Sequence, residues 1–155
     1  MPKVEQSIEV NVPVSTAYNQ WTQFEEFPLF MEGVDEVRQI DNTHLHWVVN
    51  VGGQREEWDA EITEQHPDQR IAWRAIGGKK NSGVVTFEAL GPQRTRINVE
   101  FEWESEGMLE KLGGAIGQDD RQVKADLERF KELVESRGVE SGAWRGEVEH
   151  GVQRR

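Results

Sequence analysis

The sequence predicts an α+β fold in which a seven-stranded, curved antiparallel sheet surrounds a long C-terminal helix, with two short helices between strands 1 and 2. Two patterns predict it. Apolar and polar residues alternate over most of residues 4–104, the period of half-buried strands, and apolar residues then recur at helical spacing over residues 118–137. The connections are short, which makes neighbouring strands antiparallel, and the C-terminal helix is long enough to cover the dry face of the sheet.

The first part of the chain predicts one strand and the two short helices. Strand 1 covers about residues 4–12, where valines and Ile8 alternate with polar residues. Residues 14–24 follow the i, i+3, i+4, i+7 spacing of an amphipathic helix. Pro28 ends that helix because it forces Phe27 out of the α region, and it suits the first turn of a second short helix, which Gly33 closes.

Six further strands follow, each bounded by a turn signal such as Gly52-Gly53. They cover residues 34–41, 43–51, 54–65, 70–76, 83–90 and 95–104. Residues 108–116 then predict a short helix, weakened by Gly113-Gly114. The long helix covers about residues 118–137, with the apolar stripe Val123, Leu127, Phe130 and Val134 and with Gly138 just past its end.

The domain organisation follows from where these patterns end. A chain of 155 residues fits one domain, which we place at residues 1–138. Residues 139–155 are polar and punctuated by glycines, and they predict a mostly irregular tail. Trp144, flanked by Gly142 and Gly146, is unusual in such a segment. It indicates either a disordered tail or one that docks, on this domain or on a protein partner.

Composition excludes several classes of function. The chain has no cysteine, which excludes a disulfide scaffold, a thiolate metal site and a cysteine nucleophile. Its net charge of −11 argues against binding nucleic acid or an anionic membrane. The N-terminus lacks a signal pattern, and no apolar run approaches the roughly 18–20 residues of a membrane span. We therefore expect a soluble, cytoplasmic protein without membrane insertion.

Three passages of the sequence carry a resemblance to a known family. They read VNVPVSTAYNQWTQFEEFPLFMEGVDEVRQID, GGQREEWDAEITEQHPDQRIAWR and GVVTFEALGPQRTRINVEFEWE, and the long helix follows them. Residues 4–137 resemble the START/Bet v 1 (SRPBCC) superfamily of helix-grip proteins, and within it the bacterial polyketide cyclase/dehydrase and coenzyme-Q-binding-type group. The resemblance implies a helix-grip fold around an apolar interior. It also makes residues 109–117 similar to the mobile gate beside the grip helix, the alternative being an ordinary entry into that helix.

The six tryptophans of this chain are its compositional oddity. Several of them fall on the inward faces of the predicted strands, and one helix face does not obviously fill the concavity of such a sheet. Aromatic walls with few polar groups are typical of small-molecule cavities, although a filled core explains any single residue as well. The predicted cavity wall consists of Tyr18, Trp47, Trp58, Trp73, Val85, Phe87, Phe101, Trp103, Leu127 and Phe130.

His44 and His46 lie on one face of strand 3, where a neighbouring carboxylate could complete a metal site. Their parity opposes that of Leu45 and Trp47, so they are expected to face solvent, and we predict no metal site.

Arg70 and Arg74 on strand 5 face the acidic row of strand 4, which favours a cross-strand ion ladder on the convex surface. The alternative is a register slip or bulge that turns Arg74 or Asp59 inward to anchor a ligand.

Catalytic residues stay unknown from the sequence. Tyr18 is the single tyrosine, and its phenol could donate or accept a hydrogen bond near the mouth of the cavity. We expect instead that its ring packs in the apolar interior and that its hydroxyl donates to a backbone carbonyl. The chain contains no nucleophile–base motif and no phosphate loop, and no cofactor is predicted.

These observations favour a protein that binds, carries or senses an apolar small molecule such as a lipid, isoprenoid or polyketide. One alternative is a polyketide cyclase, aromatase or dehydrase acting on a β-keto intermediate, which would require facing polar side chains in the cavity. Another is an interaction or stress module with a collapsed cavity that works through the Trp144 tail.

Overall fold

Seven long strands form one curved antiparallel sheet. The computed structural model describes residues 3–51, 54–76, 81–103 and 120–153. The strands are β1 (Lys3–Val10), β2 (Val34–Asp41), β3 (His44–Val51), β4 (Gln54–His66), β5 (Arg70–Ile76), β6 (Asn81–Gly91) and β7 (Arg94–Trp103). Their order in the sheet is β1-β7-β6-β5-β4-β3-β2. Strands β2 to β7 thus pair with their chain neighbours, and β1 pairs with β7. The predicted α+β fold is confirmed.

Two short strands that the sequence did not predict extend this sheet. They are β8 (Val148–Glu149) and β9 (Val152–Gln153), so within the described residues the sheet has nine strands rather than seven. β8 pairs with β4 at Glu64 and Gln65, beyond the stretch of β4 that pairs with β3. A strand of two residues carries no alternation of apolar and polar positions, and the periodicity therefore did not reveal it.

Helix α1 (Val14–Trp21) and a 3-10 helix (Phe24–Leu29) connect β1 to β2. α1 is shorter than predicted, and Thr22 follows it with its hydroxyl donating to the Asn19 carbonyl at 2.6 Å. The second helix begins at Phe24 instead of Pro28, and Pro28 lies inside it. The early turn places both Phe24 and Phe27 in the core, where they are buried.

Helix α2 (Asp120–Arg137) is the long helix that the sequence predicts. Its stripe of Val123, Leu127, Phe130 and Val134 is buried, as predicted. Gly138 follows at φ 74°, the left-handed conformation that glycine adopts at the end of a helix. Among the described helices, none is sufficiently long and apolar to cross a bilayer. The predicted helix at 108–116 and the gate at 109–117 lie outside the described residues.

Residues 139–153 pack on the domain. The backbone N–H of Trp144 donates to the Thr22 hydroxyl at 3.1 Å, and the ring of Trp144 is partly buried against the core. Arg145 forms an ion pair with Asp68 at 2.8 Å, and its guanidinium lies 5.5 Å from the centre of the Tyr18 ring. Of the alternatives that the sequence left open, the structure shows Trp144 docked on its own domain.

A bulge in β4 leaves a part of the core that residues 139–153 cover. The register of β4 shifts between Ile62 and Glu64, so that Gln65 turns into the interior and is buried. Val148 pairs with Gln65 and is also fully buried. The segment therefore completes the core at the end of the sheet where the bulge occurs.

We expect Val148→Ala to lower the free energy of unfolding by about 2 kcal/mol, because it deletes buried methyl groups and leaves a cavity. Denaturant unfolding measures the loss. Val152→Ala on β9 is the matched control, since Val152 is 58% exposed. Equal unfolding midpoints for the two variants would show that residues 139–153 do not belong to the folded core.

Candidate ligand pocket

A row of aromatic side chains crosses the concave face of the sheet. Trp47 on β3 lies directly opposite Trp58 on β4, with ring centres 6.3 Å apart and planes within 10°. Trp73 on β5 lies 6.4 Å from Trp47, with planes 24° apart, and Phe101 on β7 lies 6.0 Å from Trp73. The alternation of these strands places all four rings on the same face, where the three indoles are nearly parallel and Phe101 lies at 62° to the plane of Trp73.

Helix α2 and the segment around the 3-10 helix form the other side of a pocket. Val123, Asp126 and Leu127 of α2 lie opposite the aromatic wall, and Trp21, Phe30 and Met31 complete the enclosure. The free volume inside is about 50 Å³. A water molecule needs roughly 10–15 Å³ measured in this way, so the pocket has room for a few waters and not for a polycyclic molecule.

The predicted wall residues divide into two groups. Those that line this pocket are Trp47, Trp58, Trp73, Phe101 and Leu127. Those that the structure places elsewhere in the core are Tyr18, Val85, Phe87 and Phe130. The side chain of Trp103 lies outside the described part of the structure.

Packing between elements explains the second group. Phe130 is covered by Trp21 and Phe30, with ring centres at 4.9 and 5.0 Å. Tyr18 packs edge-on against Phe87 at 5.4 Å. These rings fill the interior beneath α1, so this part of the predicted cavity is solid core. Strand parity identifies an inward side chain but not which inward side chains a helix will cover.

Sequence reasoning missed the pocket residues that come from helices and loops. Trp21 belongs to the predicted apolar stripe of α1, and Phe30 and Met31 belong to the second predicted helix. Neither pattern indicates that these side chains reach the pocket. The polar members are Asn81, Ser82, Glu102 and Asp126. The helical spacing that identified Leu127 also places Asp126 next to the apolar stripe, and this is the signal that could have found it.

Asp126 connects α2 to the segment before β2. It is 8% exposed, and its carboxylate accepts hydrogen bonds from the Glu32 backbone N–H at 3.2 Å and from the Arg129 guanidinium. Arg129 in turn donates to the Phe30 carbonyl at 3.0 Å. These bonds hold Phe30 and α2 together at one side of the pocket.

Two indole N–H groups of the pocket residues have no acceptor. The Nε1 atoms of Trp21 and Trp47 are buried and have no hydrogen-bond partner among the described residues. Burying such a donor without an acceptor costs roughly 1–3 kcal/mol.

Gly83 on β6 supports the ring of Trp73 from below. A Cβ atom at position 83 would lie 2.7 Å from Cε2 of Trp73 and would overlap the six-membered ring. The absence of a side chain therefore lets the indole lie flat on the sheet. Any larger residue at position 83 would push the ring towards the pocket.

His44 and His46 face away from the interior, as their parity predicts. Nδ1 of His46 lies 2.7 Å from Asp59, and Nε2 lies 2.9 Å from Glu57. The contact with Asp59 is the larger of the two effects, and together the two contacts raise the pKa of His46 above its ordinary value of 6.5. In the part of the chain that the structure describes, no group of three ligating side chains could hold a metal ion.

The ion ladder predicted from Glu57, Asp59 and Glu61 is present in part, because Glu57 and Asp59 contact His46 and not an arginine of β5. Arg74 pairs with Glu61 at 3.2 Å and Arg70 with Glu64 at 3.3 Å. The side chain of Arg74 is 66% exposed, which excludes it as an inward anchor. The bulge in β4 does turn a polar side chain inward, but that residue is Gln65.

Tyr18 differs from its prediction in one respect. Its ring packs in the core, but its hydroxyl lies beside the Gln65 side chain instead of a backbone carbonyl and forms no hydrogen bond of normal geometry with the described residues. Burial raises the pKa of Tyr18 to about 12.

Comparisons with known proteins identify the family. Residues 10–132 match the family described as polyketide cyclase / dehydrase and lipid transport. The chain belongs to this family.

Members and structural neighbours of the family cover nearly the whole chain. An uncharacterised 17.2 kDa protein from the melC2–rnhH intergenic region of Streptomyces lincolnensis is 52% identical over 96% of this chain and 99% of its own. A START superfamily protein from Mycobacterium smegmatis is 19% identical with a TM-score of 0.68, covering 86% of this chain and 97% of its own. The Zhui aromatase/cyclase from Streptomyces sp. R1128 is 16% identical, also with a TM-score of 0.68, and the match covers 92% of this chain and 98% of its own. The predicted helix-grip fold and the resemblance to the polyketide cyclase/dehydrase group are confirmed.

The contacts of His46 predict a pH dependence. Protonated His46 is favoured in the folded state, so its contribution to stability is full below pH 6.5 and is lost as the pH rises through its raised pKa. An NMR titration of the imidazole should give a midpoint above 6.5 in the wild type and a lower one in Glu57→Gln. A wild-type midpoint at or below 6.5 would contradict the two carboxylate contacts.

Burial of Tyr18 predicts a second titration. The folded protein holds the phenol protonated, so stability from this group is full below pH 10.0 and is lost as the pH rises through about 12. Because the chain has one tyrosine, phenolate absorbance reports this group alone. The expected midpoint is near 12 in the folded protein and near 10.0 in denaturing urea. Ionisation near 10.0 without denaturant would show that the phenol is accessible to solvent.

Proposed function

We propose that the protein binds, carries or senses an apolar small molecule, such as a lipid, isoprenoid or polyketide, between the sheet and α2. The observation that carries this proposal is the aromatic wall of Trp58, Trp47, Trp73 and Phe101 facing the apolar side of α2. Such walls, with few polar groups among them, are typical of small-molecule sites. Membership of a family that includes lipid transport supports the same conclusion.

The small free volume sets a condition on binding. Pockets for drug-sized ligands enclose about 300–1,000 Å³, far more than the volume measured here. Side chains or α2 must therefore move when a ligand enters. The Asp126–Arg129 bonds that hold Phe30 to α2 lie at one side of the pocket and would resist or guide such a movement.

A cyclase is the second candidate. The observation that favours it is that four polar residues, Asn81, Ser82, Glu102 and Asp126, belong to the lining of an otherwise apolar pocket. A cyclase would need groups of this kind to move protons at a β-keto substrate. The Asp126 carboxylate is occupied by Arg129 and the Glu32 amide, which favours a structural role for it and places binding ahead of catalysis.

We further propose that residues 1–138 form the ligand-binding domain and that 139–155 are an extension that seals it. The protein is proposed to be cytoplasmic and to bind no nucleic acid, since its net charge of −11 repels polyanions. A protein partner at Trp144 is a weaker proposal. The ring of Trp144 already packs against the core, so a partner would have to displace it.

The experiment that tests the main proposal is native mass spectrometry of the protein purified from its own cells, followed by organic extraction. We expect a stoichiometric apolar ligand whose mass identifies its chemical class. In a second experiment, the protein is incubated with a β-keto precursor before extraction. Recovery of a molecule that has cyclised with loss of water would favour the cyclase instead.

Gly83→Ala supplies the control for the site. It should push Trp73 into the pocket and lower ligand occupancy, whereas Gly91→Ala on the same strand should leave occupancy unchanged, because a Cβ there meets nothing within 4 Å. Equal occupancy in both variants would place the ligand elsewhere. An empty wild-type protein that also takes up no added lipid, isoprenoid or polycyclic dye would overturn the proposal and favour the interaction module.

A further inference from the structure

Helix α1 is buried on both of its sides. Its apolar side faces the core, and yet its polar residues Asn19 and Gln20, with Thr22 just after the helix, are also buried. A helix that packs on the outside of a core normally leaves its polar side in water. Here residues 140–145 lie on that side and bond to it. The polar side of α1 is therefore the docking surface of the C-terminal segment, which we call the strap (residues 139–153).

Hydrogen bonds join the strap to each of these polar residues of α1. Asn19 donates to the Glu140 carboxylate at 2.7 Å and accepts from the Arg145 guanidinium at 2.6 Å. Gln20 accepts from the backbone N–H of Ser141 at 2.9 Å. Together with the bond from the strap to the Thr22 hydroxyl, these contacts satisfy buried polar groups that have no water around them.

The other end of the strap is fixed to the sheet. β8 pairs with β4, and the carboxylate of Glu147 lies 3.1 Å from Nδ1 of His66, the last residue of β4. The backbone N–H of Gly151 donates to the Thr63 carbonyl, also on β4, at 2.9 Å. The strap thus connects α1 to the sheet along a path that is separate from the core.

Arg145 joins the two regions directly. Its guanidinium donates to Asn19 on α1 and pairs with Asp68 in the turn between β4 and β5. It also lies over the ring of Tyr18. The fork of an arginine can hold two acceptors at once, which an uncharged side chain of similar length cannot do. Arg145 therefore positions α1 relative to the sheet.

The residues that the strap holds on α1 lie next to the pocket wall. Trp21 lines the pocket, and in the sequence it lies between Gln20 and Thr22, both of which bond to the strap. α1 is a regular helix of eight residues, so it moves as a unit. Fixing its polar side in place therefore also fixes Trp21.

The strap restrains the 3-10 helix in the same way. Glu26 in this helix accepts a hydrogen bond from the Ser141 hydroxyl. Phe30 and Met31, which also line the pocket, follow the helix and donate from their backbone to the Phe27 carbonyl at 3.1 and 2.8 Å. The pocket residues that come from the helical segment are thus all attached to elements that the strap holds.

We propose that the strap regulates entry into the pocket, with Arg145 as the positioning residue that keeps it closed. By holding α1 and the 3-10 helix against the sheet, the strap keeps the pocket at its small volume, and a ligand enters when the strap opens. This inference rests on the proposed binding function and concerns its regulation. A protein that binds only in a rare open state has an apparent affinity reduced by the rarity of that state.

The test compares the full-length wild type with Arg145→Gln, which removes the charge and the fork. Opening of the strap is measured by NMR as hydrogen exchange of the Trp144 backbone N–H, because the exchange rate follows the population of the open state. Entry into the pocket is measured by stopped-flow fluorescence as the association rate of Nile red, an uncharged polycyclic dye. Both rates are expected to rise by roughly 3–10-fold in the variant, the effect of a partly exposed charged pair.

Two further variants serve as controls. Arg94→Gln removes a surface ion pair with Glu9, away from the strap, and should leave both rates unchanged. Arg145→Gln combined with Gly83→Ala should keep the fast exchange of Trp144 and lose the uptake of the dye, because Trp73 is then pushed into the pocket. This double variant separates entry into the pocket from adhesion to a surface that the open strap uncovers.

The outcomes distinguish the inference from the binding function. Faster exchange of Trp144 with unchanged association of Nile red would overturn the inference and leave the binding function standing. Unchanged exchange in Arg145→Gln, equal acceleration in Arg94→Gln, or undiminished dye uptake in the double variant would overturn it as well. If Nile red binds neither the wild type nor Arg145→Gln, the binding function fails, and the regulation proposed for it fails with it.

Discussion

The contact between the buried stripe of α2 and the concave face of the sheet is the interaction on which the rest of the structure depends. A sheet with one dry face cannot stay exposed to water, and α2 is the described helix long enough to cover it. Phe130 meets Trp21 and Phe30 at about van der Waals packing distance, so α2 also fixes the helical segment between β1 and β2. The pocket is the part of this interface that α2 leaves incompletely filled, beside Leu127.

The opposite end of the interior is closed in a different way. The bulge in β4 introduces Gln65 into the core. Residues 139–153 cover Gln65 with Val148, and they place the Arg145 guanidinium over the ring of Tyr18. The hydroxyl of Tyr18 and the amide of Gln65 lie buried next to each other, without a hydrogen bond of normal geometry to the described residues. This end is therefore covered by a segment that follows α2, whereas the pocket at the other end is enclosed by α2 itself.

The sequence determined the strands, their inward faces and the stripe of α2, because each of these repeats a local period over many residues. That is why Trp47, Trp58, Trp73, Phe101 and Leu127 could be placed near one another from the sequence alone. Trp21 and Phe30 could not, because their position depends on how a short turn after Thr22 aims the chain. The bulge at Ile62 and the two-residue strand β8 likewise leave no periodic signal. Tyr18 and Phe130 pack in the core and are not among the residues that line the pocket, because contacts between elements decide this and helical spacing does not encode them.

Two features of the pocket stand in contrast, and the proposed function accounts for both. A free volume of about 50 Å³ is too small for a ring-containing ligand, and yet three nearly parallel indoles face α2 across it. Under the proposed function, the apolar walls of the empty site approach one another, because this reduces their contact with water. Entry of a ligand would then exchange contact between the walls for contact between ligand and wall of similar apolar area. Opening would have to separate α2 from the sheet at the side where Asp126 and Arg129 hold Phe30, so those bonds would contribute to the resistance that a ligand must overcome.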